Sequence, residues 1–120
     1  MPKDIRFTID VLELPSGEIP MEEAFTSFGE VSPDLLAAVE AGLIRLEYQS
    51  NHGGVFTEAI TKKVWCMRIR RNRNIARVFF TFRKGRKIIL LWGFVKKTTK
   101  IPPKDRRKVI NYERQVPTYA

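Results

Sequence analysis

From Ile5 to Leu14 ("IRFTIDVLEL") apolar and polar positions alternate, with Ile5, Phe7, Ile9 and Val11 on one side, the period of a strand. Pro15 and Gly17 break it. "IPMEEAFTSF" changes to a helical period: Pro20 suits the first helical position, acids follow in the first turn, and Phe25 and Phe28 share a face. "SPDLLAAVEAGLIRLEY" predicts the clearest helix, capped by Ser32, started by Pro33, and striped by Leu35, Leu36, Val39 and Leu43. Gly42 reads as a stop or kink. "QSNHGGVFTEAITKK" is polar and glycine-containing, and predicts a long connection. Period two then returns. "VWCMRIR" places Trp65, Met67 and Ile69 against Cys66, Arg68 and Arg70, and "IARVFFTFR" places Ala76, Val78, Phe80 and Phe82 against Arg77, Phe79 and Thr81. "RNRN" and "KG" supply the turns. "KIILLWGF" is apolar on both faces, as an interior strand is. After Pro102 and Pro103, "PKDRRKVINYERQ" predicts a basic helix. The pattern defines an α+β fold over residues 1–120 as one domain: an N-terminal strand, two helices, an antiparallel strand meander and a C-terminal basic helix.

Charge sharpens this picture. Residues 1–60 carry three basic and eleven acidic side chains, net −8, while residues 61–120 carry nineteen basic and two acidic, net +17. So dense a basic half is the footprint of a polyanion partner, and the acidic half is suited to docking a basic partner element. Nothing in "MPKDIRFTID" resembles a secretory leader, and no apolar run nears the ~20 residues of a membrane span, so the chain reads as a soluble cytoplasmic protein. Cys66 is the single cysteine and His52 the single histidine, which removes disulfides, zinc clusters, paired-histidine chemistry and a serine triad. No phosphate-loop or dinucleotide fingerprint is present, and no cofactor or metal is expected.

Where could chemistry reside? If the first two meander strands pair, Arg68, Arg70 and Arg77 share a face, because alternation fixes the side. A row of arginines in a core is intolerable, so this face is expected to be open to solvent, with helices on the other face only. The third strand delivers Lys96 and Lys97 to its end, and Phe79 and Trp92 are candidate rings for base stacking. Arginine and lysine suit metal-free RNA cleavage by the RNA's own 2′-hydroxyl. Guanidinium groups stabilise the added phosphorane charge, and a lysine crowded by cations can move protons.

At these residues a family resemblance emerges. "VWCMRIRRNRNIARVFFTFRKGRKIILLWGFVKKTTKIPP", preceded by "VLELPSGEIPMEEAF", resembles the RelE/ParE toxin superfamily in its phage-derived HigB-like branch. The resemblance implies a ribosome-dependent endoribonuclease that cuts mRNA and blocks translation. It also implies a cognate antitoxin, in this branch commonly a helix-turn-helix DNA-binding protein. Arg77 stands where the family's strand arginine meets the scissile phosphate, Lys97 with Lys96 beside it where a second basic catalytic residue lies, and Arg68 at the arginine of "ELR". Arg70, Arg71, Arg73 and Lys100 are the candidates for gripping ribosomal RNA. The family's "ELR" reads Cys66–Met67–Arg68 here, and its "HGF" reads Trp92–Gly93–Phe94. These departures keep a second reading open, a degenerate module that binds RNA or antitoxin without cutting. A third reading, a gyrase-poisoning ParE-like toxin, is disfavoured by the "KKTTKIPP" strand end.

Overall fold

A computed structural model describes residues 4–54, 56–96 and 100–117. The order is β1 (Thr8–Val11), α1 (Pro20–Val31), α2 (Pro33–Leu46), a 3-10 turn (Gln49–Asn51), β2 (Thr57–Ala59), β3 (Trp65–Arg71), β4 (Asn74–Arg83), β5 (Lys87–Lys96) and α3 (Pro103–Arg114). The strands form one sheet in the order β1-β5-β4-β3-β2. All neighbours are antiparallel except β1 and β5, which run parallel with Thr8 opposite Lys87 and Val11 opposite Leu90.

Ser32 joins the first two helices. Its backbone N–H donates to Phe28 O at 3.1 Å, ending α1, and its hydroxyl accepts from Leu35 N at 2.9 Å, starting α2. Pro33 then occupies a position whose N–H would have no helical partner. Met21, Ala24 and Phe28 from α1, and Leu35, Val39 and Leu46 from α2, are buried and form the core with the sheet.

Two glycines set how closely the layers approach. Gly42 does not end α2, as its sequence context suggests, but lies inside it. A Cβ there would sit 2.8 Å from Ile69 Cδ1 and 3.2 Å from Met67 Sδ, so the missing side chain lets the helix settle on β3. Gly93 in β5 faces α1: its Cβ would sit 3.1 Å from Phe28 Cζ and press on the Arg77 carbonyl of β4.

Since Gly93 faces α1, Trp92 faces the other side of the sheet, and it meets α3 there. Its ring lies 6.4 Å from that of Tyr112, with Lys108 Nζ 4.1 Å above it. The structure thus corrects the expectation of helices on one face only: α1 and α2 cover one face and α3 part of the other. Arg83 pins α3 down. Its Nη2 donates to Glu113 Oε2 at 2.7 Å, while Nη1 donates to Thr81 Oγ1 at 2.9 Å and Phe82 O at 3.0 Å.

The connection 49–63 contains a strand that its composition hides. β2 pairs with the edge of β3, placing Glu58 opposite Cys66. Glu and Ala are poor strand residues, so the edge of β3, not local preference, makes this element. His52 in the same connection is structural: Nε2 lies 2.8 Å from Leu46 O, and its ring packs on Phe7 and Phe82. No helix among the described residues is long and apolar enough to cross a membrane.

Candidate functional site

The register of β3, β4 and β5 assembles the basic residues in rows. Arg68 lies opposite Arg77, which lies opposite Phe94. One row nearer the strand ends, Arg70 lies opposite Ile75 and Ile75 opposite Lys96. One row back stand Cys66, Phe79 and Trp92. The shared face of Arg68, Arg70 and Arg77 is therefore as the alternation predicts.

Its burial is not. Arg77 is only 1% exposed, so the expectation that this whole face lies open to solvent is overturned. Phe79 and Trp92 are also buried, at 0% and 7%. Phe79 stands edge-on to Phe94, and Trp92 lies under Lys108 and Tyr112 of α3, so neither offers a free ring face to a base. The cause is tertiary: α3 folds over the end of the sheet where these rings stand. Arg77 presents no surface to a substrate as the chain is folded here, and a phosphate reaches it only if its neighbours move.

At the rim, Arg68 is half-buried, with Nε 3.6 Å from Glu58 Oε1. Two guanidinium groups opposite each other repel, and Glu58 offsets part of that. Sequence reasoning missed Glu58, because only the β2–β3 register puts it there. Arg70, Arg73 and Lys96 are exposed, and Lys96 Nζ lies 5.6 Å from the Phe94 ring centroid. Arg71 leaves this group. It follows Ile69 onto the α2 side, where its Nε is 3.7 Å from Asp34 Oδ2. Lys100 is exposed, and Lys97 lies outside the described residues. Among the described residues, no three His, Cys, Asp or Glu side chains gather as a metal site.

Burial pushes the Cys66 thiol up to about 12, against a smaller opposing pull from the Arg77 charge. An unfolded thiol titrates near 8.5. The unfolded chain therefore loses this proton first, and the stability it contributes is lost as pH rises from about 9 toward 12. At pH 8 Cys66 is an inert buried thiol. Iodoacetamide is expected to label it only after denaturant is added, and prompt labelling of the native chain would show the site to be open.

The geometry defines an α+β module with a cationic strand-end surface above a buried arginine. A family model for phage-derived Gp49-like proteins matches residues 27–112, from within α1 to within α3. The chain belongs to that family, which supports a toxin-like module with an antitoxin partner. No curated protein matches it.

Proposed function

We propose that the chain is the HigB-like toxin of a toxin–antitoxin pair, an endoribonuclease that cuts mRNA on the ribosome. The observation that carries this is the row Arg68–Arg77 with Arg70 and Lys96 at its rim, on strand ends that face one way. In the reaction, the RNA 2′-oxygen attacks phosphorus as its proton passes to a base. The P–O5′ bond breaks, O5′ takes a proton, and a 2′,3′-cyclic phosphate remains. Arg77 supplies positive charge where the phosphorane forms, from a water-poor position in which that charge is felt strongly. Arg68 orients the phosphate through its fork of donors. Lys97, with Lys96 beside it, moves the protons. Arg70, Arg73 and Lys100 hold ribosomal RNA. The antitoxin, a helix-turn-helix protein, silences the toxin until it is removed.

The test is expression from a tight promoter with mRNA ends mapped on ribosomes. Wild type is expected to arrest growth and give codon-phased ends. Arg77→Ala and Lys97→Ala are expected to lose roughly 100-fold or more of the cutting, as when a transition-state donor is removed. Because Arg77 is buried, Arg77→Lys is run beside it to keep a cation and most of the volume. Arrest without new RNA ends would sink the ribonuclease reading and point to gyrase or another target.

A second reading, binding without cutting, draws support from the burial of Arg77 and from Trp92, which stands where the family carries histidine and lies under α3. No arrest from folded wild type would favour it, and Trp92→His would then be the change to make.

A further inference from the structure

The proposed site uses the cations at one end of the sheet, yet the opposite end is as basic and has a more definite shape. The connection between β2 and β3 crosses there, facing the last turns of α3. A cleft of about 370 Å³ is lined by Lys62 and Lys63 from the connection, Trp65, Thr81, Phe82 and Arg83 from the strands, and Glu113 from α3. A second cleft of the same volume shares Lys62, Lys63 and Glu113 and adds Arg114, so the two make one groove between the connection and the helix.

Its walls are fixed. Thr61 Oγ1 accepts from Lys63 N at 3.1 Å and Val64 N at 3.0 Å, and Ile60 N donates to Val64 O at 2.8 Å, which holds the turn carrying the two lysines. Arg106 Nη2 donates to Ile60 O at 3.1 Å, tying that turn to α3. Trp65 is partly exposed and braced edge-on by Phe82, with centroids 5.7 Å apart. Arg83 is committed inside the protein to Glu113, Thr81 and Phe82. The cations left to face a ligand are the exposed Lys62, Lys63 and Arg114. Mobile ammonium groups beside a fixed aromatic ring match a phosphate with its planar base. An acidic peptide would leave the ring unmatched.

We propose that this groove binds single-stranded RNA, with phosphates on Lys62, Lys63 and Arg114 and a base against Trp65. It is a second contact, roughly 20 Å along β4 from Arg77 when counted to Arg83 at ~3.3 Å per residue. The inference rests on the ribonuclease reading above and extends it: the toxin holds RNA at both ends of its sheet.

The test is fluorescence anisotropy of a labelled single-stranded RNA across a salt series, on wild type, Lys62→Glu/Lys63→Glu, Trp65→Ala and Lys96→Glu/Lys100→Glu. The lysine pair is expected to weaken binding about tenfold and to lower the log–log salt slope by about 2. Trp65→Ala is expected to weaken single-strand binding about tenfold with little change in slope. Circular dichroism checks each fold, and the exposed lysine pair stands as the test if Trp65→Ala unfolds. If Lys62→Glu/Lys63→Glu binds like wild type while Lys96→Glu/Lys100→Glu binds weakly, the groove is refuted and the first site stands. No RNA binding by wild type overturns both. Equal losses for RNA and for heparin would reveal a plain charge patch and overturn the groove.

Discussion

Gly93→Ala is expected to destabilise the protein by about 3 kcal/mol, the upper range for forcing extra volume into a packed core. The added methyl would press on the Arg77 carbonyl, which belongs to the neighbouring strand and not to a flexible side chain. It would also stand 3.1 Å from Phe28 Cζ, at the α1–sheet contact. Relief requires β4 and β5 to part or α1 to lift. Thermal unfolding should show a loss of roughly 10 °C for a domain of this size. Gly29→Ala is the control, since its Cβ meets only Leu36 Cδ2 at 3.4 Å within a helix. Alanine there should be neutral or gain up to about 1 kcal/mol. A melting point for Gly93→Ala within a degree or two of wild type would refute the packing argument. Because Gly93 adjoins Trp92 and faces the backbone of Arg77, growth arrest should fall with stability.

Glu113→Ala should cost about as much, for an electrostatic reason. Arg83 and Glu113 meet at 2.7 Å with side-chain exposures of 17% and 9%. Removing the carboxylate leaves a guanidinium desolvated without its counter-charge, which costs about 3 kcal/mol. The pair also anchors α3, so the helix should loosen before the sheet does, and its amides should exchange faster. Urea unfolding measures the first effect and hydrogen exchange the second. Arg83→Met with Glu113→Leu should recover most of the loss, since apolar groups of similar volume replace a buried pair well. If the double variant is no better than Glu113→Ala, the pair is not what holds the helix. The exposed pair Arg71–Asp34, at 3.7 Å, should by contrast be worth at most about 0.5 kcal/mol and vanish in salt.

Much of the frame was legible in the chain because local physics governs it. Ser32 and Pro33 mark a helix start by hydrogen-bond bookkeeping alone, and β3, β4 and β5 announce themselves by period two. The face shared by Arg68, Arg70 and Arg77 follows from that period and the short "RNRN" turn. Gly42 was misread because a glycine near a helix end is a stop signal in isolation, while here its use is contact with Ile69 and Met67. β2 was unreadable because its strand character belongs to its partner. The site was half legible: residue type and side of the sheet could be read, but burial could not.

The sequence alone determined which residues could do chemistry. One histidine, one cysteine and a +17 half leave arginine and lysine as the agents, and alternation puts three arginines on one face. Only the tertiary structure decided which of them meet solvent. α3, held by Arg83 and Glu113, closes over Trp92, Arg77 sinks to 1% exposure, and Glu58 arrives beside Arg68 through an edge pairing. Periodicity is set within a strand by backbone geometry. Burial is set by whatever packs on that strand from far along the chain, and no local pattern encodes it.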